Sequence, residues 1–426
     1  MRSALRPPAP AAAPLALAFA VWGLAAVFYA YAFAVRVSPS VMVDSLMRDF
    51  AASATIVGNL SAIYFYSYAV IQLPVGMLVD RFGALRVLTV AAVLCGAGGL
   101  LFAAAPNLAV AYAGRLLVGL GAGFSWIGAL KVATEVLPAN RFAFFGGMTA
   151  LVGGAGTVAA QTLLAPVVEA AGWRPVMLGM ALLSLGLAAL LGVAALGARS
   201  PSDAAGGLAR QSFGSGIVAI LKTGHNWLTG TMVMLLSVPM LAFAGLWGVP
   251  YVATVFGVDR TAAAVTASMM IVGWAVGAPV LGWVADRLGR RRIIVAASLG
   301  VLTASLAAAI YVPGIGLGLL RALLLVAGLA TGCVVVAFSI AREHNRPETV
   351  GTALSLINAM GVASGAIFQP LIGWALDLAW DGSMASGIRL YSPEAYRIAF
   401  ALVVGSAALS FALAFFLRER EPMGRA

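Results

Sequence analysis

Runs of about twenty apolar residues recur from one end of this chain to the other, and no other feature limits its fold so tightly. A helix of that length crosses the ~30 Å hydrocarbon core of a bilayer. Twelve such runs fall near 15–38, 53–78, 86–105, 108–134, 143–167, 174–197, 227–254, 262–284, 293–312, 316–340, 351–377 and 396–417. Each must be helical, because a backbone facing lipid has to satisfy its own hydrogen bonds. Only 10% of the 426 residues are charged and 62% are hydrophobic, whereas soluble domains carry roughly 25% charge. The sequence thus predicts an all-α membrane protein with twelve transmembrane helices, its first run uncleaved because it outlasts a signal-peptide core.

The formal charge of +11 raises the question of a nucleic-acid partner, and the placement of the charges answers it. With an even number of spans both termini lie on one side. Most of the 26 Lys and Arg residues fall on that side, among them Arg2, Arg6, Arg141, Arg199, Arg210, Arg420 and Arg425. Arg48, Arg174, Arg260, Arg389 and Arg397 fall on the other. This asymmetry marks the cytoplasmic side, so the excess charge sets orientation and no nucleic-acid partner is expected. Cys95 and Cys333 sit inside apolar runs and read as small packing residues. No metal-ligand cluster, nucleotide loop or paired catalytic acids stand out, so neither an enzyme nor a cofactor is expected.

One phrase occurs twice. Gly76 to Gly83 reads GMLVDRFG and Gly282 to Gly289 reads GWVADRLG. Asp80 and Asp286 are separated by the same number of residues as Arg115 and Arg321. Each aspartate follows the second span of its half and each arginine lies early in the fourth. The chain therefore divides into a six-helix half at 1–197, a cytoplasmic linker at 198–226 and a second six-helix half at 227–426. Parallel repeats of this kind belong to secondary transporters with a site between the halves.

The second copy, with Gly282, Asp286, Arg287, Gly289, Arg290 and Arg291, resembles the signature loop of the major facilitator superfamily. The first departs from it, with Ala84 and Leu85 at the usual basic positions and Arg86 one place later. Arg115-Leu-Leu-Val-Gly119 is similar to the family's fourth-span motif, and Gly172-Trp173-Arg174 to its turn into span six. The resemblance implies a pseudo-symmetric major facilitator fold working by alternating access. It implies a cytoplasmic gate of Gly76, Asp80, Arg81, Gly83 and Arg86 with Glu135, mirrored by Gly282, Asp286, Arg287, Gly289 and Arg290 with Glu343. A loop arginine would pair with each glutamate, the aspartates would face a helix of the other half, and glycine would allow close helix approach.

Charges inside spans are costly and mark candidate sites. Tyr29, Phe33 and Arg36 share one helix face. Arg36 suits a carboxylate or phosphate, and family members that carry organic anions have an arginine similarly placed. It could equally snorkel to the outer headgroups. Lys131 could bind an anionic group or pair with Glu135 one turn away. Arg115 and Arg321 read as structural or as part of a proton path. Tyr64, Tyr68 and Gln72 are spaced by four and can share a cavity-facing side; Gln161, Trp247, Asn358 and Gln369 are weaker candidates.

No acid sits mid-span: Asp44, Glu169 and Asp377 lie toward outer ends, Glu135 and Glu343 toward inner ones. The fifth span lacks the Gly-Pro pair of the family's drug antiporters, which lowers an export reading without removing it. The first ninety residues are also similar to bacterial phagosomal amino-acid carriers and, distantly, to the lysosomal dipeptide carrier group. Arginine's dominance over lysine points to a high-GC bacterium and its inner membrane. The expectation is a monomeric carrier of a small anionic or zwitterionic solute (amino acid, short peptide or organic acid), proton-coupled by family habit.

Overall fold

The computed structural model describes residues 15–72, 74–137, 142–197, 220–346, 349–385 and 387–419. Arg2, Arg6, Arg141, Arg199, Arg210, Arg420 and Arg425, with most of the expected linker, lie outside these.

Twelve helices are long and apolar enough to cross a membrane. Spans 1 to 6 are Ala16–Val41, Ala54–Ile71, Ala84–Ala103, Leu108–Val136, Phe144–Ala171 and Trp173–Leu196. Spans 7 to 12 are Gly224–Phe256, Arg260–Leu288, Arg291–Tyr311, Leu317–His344, Val350–Leu378 and Pro393–Ala414. They match the expected runs in number and order. Large apolar side chains on their outer surface, such as Leu163, Leu190, Val193, Leu319 and Phe416, are exposed, as lipid contact requires.

Short connections make neighbours antiparallel, so the repeated loops 76–86 and 282–292 lie at one face of the bundle, called here the motif face. Side-chain caps start several helices: Asn107 accepts from Val110 N, Asp259 from Ala262 N and Ser392 from Ala395 N. The connection between spans 11 and 12 adds a two-strand hairpin, β1 (Met384–Ala385) paired antiparallel with β2 (Ile388–Arg389), which the hydropathy pattern did not announce.

Lipid removes the hydrophobic drive between helices, so close packing has to hold them together. Spans 1 to 6 meet spans 7 to 12 along two seams, span 2 on span 11 and span 5 on span 8. Glycine makes the first seam possible. A Cβ on Gly58 would lie 2.6 Å from the Gln369 carbonyl oxygen, and one on Gly373 would lie 2.4 Å from that of Ala54.

Span 7 is not uniformly α-helical. Pro239–Trp247 winds as a π-helix inside it. Proline lacks the N–H that would bond one turn back and its ring crowds that carbonyl, a local cause for the wider turn. π segments expose carbonyls to other donors and often sit at functional places.

Candidate functional site

Between the two sets of six spans lies a cavity of about 630 Å³. Spans 1, 2, 4, 5, 7, 8, 10 and 11 all contribute to its wall. Tyr29, Phe33, Phe65, Tyr68, Trp126, Trp274 and Phe338 make it aromatic; Gln72, Thr157, Ser237, Thr331, Ser355 and Asn358 supply neutral polar groups. Arg36 is the one charged residue among the described residues that line it.

The surroundings of Arg36 explain how a charge is held there. Its Cζ lies 3.8 Å from the centre of the Phe33 ring, one turn back on the same helix. Phe33 meets Tyr29 edge-on at 4.6 Å, and Tyr29 leans on Trp126 of span 4 at 5.1 Å. Gly153 of span 5 leaves room for this ladder, since a Cβ there would lie 2.4 Å from Tyr29 Cε1. Arg36 Nε is buried without a hydrogen-bond partner, a condition that costs ~1–3 kcal/mol per group.

The other expected site residues divide. Tyr29, Tyr68, Gln72 and Asn358 line the cavity with Arg36. Tyr64 is turned away and donates to the Ala32 carbonyl at 3.2 Å. Trp247 is fully buried and donates to the Gln369 carbonyl at 2.9 Å. Gln161 donates to Ala244 O at 2.6 Å and Gln369 to Leu241 O at 2.8 Å, so both clamp the π turn of span 7. Lys131 ends its reach on Asp80, 2.8 Å away near the motif face, rather than in the cavity or on Glu135.

The paired arginines are structural in their contacts. Arg115 is fully buried and donates to Val35 O at 3.0 Å and Ser61 O at 3.5 Å, with its Cζ 5.2 Å from the centre of the Tyr64 ring. It ties span 4 to spans 1 and 2 next to Arg36. Arg321 Nε donates to Thr266 Oγ1 at 3.0 Å, tying span 10 to span 8. Phe65, Trp126, Trp274, Ser237 and Ser355 were not expected in the cavity. Their only sequence signal is aromatic or polar character inside a span, which packing residues share.

At the face opposite the motif loops the two sets of spans are fastened together. There Asp377, at the end of span 11, accepts from Thr55 N at 2.9 Å and Ala54 N at 3.3 Å, and from Thr55 Oγ1. It thereby caps the start of span 2 and neutralises that helix's positive end. Tyr391 donates to Asp377 at 2.6 Å and accepts from Ala54 N at 3.0 Å. Burial and that hydrogen bond push the Tyr391 phenol well above its ordinary pKa, so it stays a donor. Arg389, brought in by β2, completes the cluster at 3.2 Å. On the other seam, Arg260 at the start of span 8 donates to Val41 O at 2.8 Å, pairs with Asp44 and lies 4.0 Å from Glu169.

At the motif face, three ion pairs among the described residues each stay within one set of six spans. Asp80 pairs with Lys131; Arg291 bridges Asp286 at 3.3 Å and Glu343. The expected arginine–Glu135 pair is therefore replaced by lysine–Asp80, while Glu343 receives Arg291 rather than Arg287 or Arg290. Arg81 and Arg287 instead lie over the rings of Phe82 and Trp283, 5.2 and 5.4 Å from their centres. Both aspartates are largely exposed. Close helix approach does not explain the loop glycines: nothing lies within 4 Å of a Cβ on Gly76, and Gly282 has only an ordinary 3.6 Å contact. Gly83 and Gly289 are needed for their backbone, with φ of 87° and 64°. Among the described residues, ion pairs between the two sets of spans lie at the face opposite the motif loops.

Comparison with known proteins agrees with this architecture. A gentisate transporter of Corynebacterium glutamicum is 25% identical over 382 residues, 85% of this chain and 81% of that one. A probable sulfoacetate transporter of Cupriavidus necator is 25% identical over 166 residues, a stretch covering only 39% of each chain. A solved bacterial homologue of the human lysosomal transporter Spinster, inward-facing and unoccupied, superposes with a TM-score of 0.77 at 15% identity, covering 94% of this chain and 97% of that one. A mutant form of the nucleoside transporter NupG gives 0.72 at 13% identity and covers 94% of this chain and all of that one. The model of the Major Facilitator Superfamily matches residues 17–368 and 241–426, and the chain is a member of that superfamily, a multi-pass membrane transporter of small molecules.

Proposed function

We propose that this transporter carries small organic monoanions, carboxylates first among them. It would work by alternating access between the halves 1–197 and 227–426, joined by the linker 198–226. The observation that carries the reading is the charge of the cavity: Arg36 stands alone, with no acid among the described lining residues. A monoanion balances that charge. A zwitterionic amino acid or peptide would leave its ammonium without a carboxylate, so these solutes fall behind organic acids. The two relatives named for gentisate and sulfoacetate support an organic anion.

In this reading the motif face is cytoplasmic, both termini lie there in a bacterial inner membrane, and the structure is the inward-facing state of a monomer. Uptake of a monoanion against an inside-negative potential costs ~2.3 kcal/mol per 100 mV. One proton moved with each anion removes that cost, which supports proton-coupled uptake.

Counterflow in proteoliposomes tests the substrate class, using the monoanions benzoate and gentisate, the dianion sulfoacetate, a neutral amino acid and a cationic dye. Exchange of the monoanions, with acceleration of uptake by external acid and little response to membrane potential, is the expected result. Exchange confined to the amino acid or to the dye would contradict it.

A further inference from the structure

Phe33 sits directly beneath the one charged group of the cavity, and its position has a consequence for what the site accepts. We infer that Phe33 is a positioning residue that turns Arg36 into a selector for planar carboxylates. The inference rests on the proposed monoanion reading and sharpens it.

An unpaired arginine on a cavity wall has a long, mobile side chain and would offer its charge to any anion from any direction. Here one face of the guanidinium is covered, with Cζ 3.8 Å from the Phe33 ring centre. The ring itself is held: Tyr29 abuts it at 4.6 Å and Trp126 backs Tyr29 at 5.1 Å. The Val35 carbonyl, one residue before Arg36, is fixed by Arg115 at 3.0 Å. Support thus comes from spans 1 and 4 together, and the guanidinium plane is set before any solute arrives.

A covered face leaves the edge, where the N–H bonds point. An anion approaching in that plane meets two parallel donors, the arrangement that a carboxylate's two oxygens match. A spherical anion such as chloride offers one centre to both donors, so the two bonds bend toward it and gain less. The remaining wall, with Tyr68, Phe65 and Trp274, accepts a flat apolar body behind the head group. Lysine at position 36 would keep the charge and lose the fork.

The test is a double-mutant cycle on purified protein in nanodiscs, reading equilibrium binding of radiolabelled benzoate, with chloride as competitor and the thermal unfolding midpoint measured in parallel. Phe33→Leu should weaken benzoate binding about tenfold, between the exposed and desolvated strengths of a cation–π contact, and should raise the relative competition by chloride. Phe33→Tyr should bind as wild type does, which keeps the test valid if the leucine variant folds poorly. In an Arg36→Lys background, Phe33→Leu should cause no further loss, because its effect runs through the guanidinium.

Additive losses in the double variant would make Phe33 a mere wall residue and overturn the inference. So would unchanged binding by Phe33→Leu when Arg36→Lys weakens it. If wild type binds no benzoate, or if Arg36→Lys binds as wild type does, the monoanion reading itself fails, a distinct outcome.

Discussion

Arg36, Arg115 and Arg321 sit inside the spans, and their environments separate their roles. Arg115 and Arg321 hydrogen-bond to neighbouring spans, whereas Arg36 lines the cavity. Arg115→Lys retains the charge but cannot reach two carbonyls, so it should lower the unfolding midpoint in detergent clearly, by the ~1.5–3 kcal/mol of a charge-assisted bond. Lys131→Gln, which breaks a half-exposed pair with Asp80, should cost ~1 kcal/mol or less. Equal midpoints for the two variants, followed by tryptophan fluorescence, would count against this division. The face shared by Tyr29, Phe33 and Arg36 was legible in their spacing because a helix keeps its period inside a span. The fate of Tyr64 was not: spacing groups it with Tyr68, but a carbonyl of span 1 takes its hydroxyl. Only the packing of a second helix decides that.

At the scale of elements, the closure opposite the motif loops consists of two unlike fastenings. One is a carboxylate capping a helix of the other set of spans, with Asp377 on the start of span 2. The other is a guanidinium shared by Asp44, Glu169 and a carbonyl. Asp377→Asn keeps the shape and removes the charge that strengthens the hydrogen bonds from Thr55 and Tyr391, a change of ~1–2 kcal/mol. It should therefore raise the population open at that face about tenfold. Labelling of Val37→Cys by an impermeant thiol reagent added from that side reads this, since Cys95 and Cys333 are buried. Labelling no faster than in the Asp377 parent would show that the cap does not hold the gate. Sequence alone placed Asp377 at an outer end and could go no further, because the span 2 residues it caps lie more than three hundred residues away in the chain. The π turn was equally hidden; Gln161 and Gln369 looked like cavity groups because nothing in the pattern revealed the carbonyls of span 7 that they satisfy.

The whole molecule was the most legible scale. Hydropathy is local in sequence, so twelve runs became twelve spans, and the repeated loop phrase fell at one face. Which face is open is a property of the contacts between spans 2 and 11 and between spans 5 and 8, and these depend on the conformational state as much as on the residues. A central cavity whose one charged residue among the described lining residues is Arg36 is the basis for the proposed carrier of monoanions. The most direct test is benzoate counterflow in proteoliposomes containing Arg36→Ala, set beside wild type at matched protein content and matched unfolding midpoint. The expected result is a fall in exchange of about a hundredfold, equivalent to losing ~3 kcal/mol of charged hydrogen bonding. Exchange at the wild-type rate would contradict it, and Arg36 would then be no part of the substrate site.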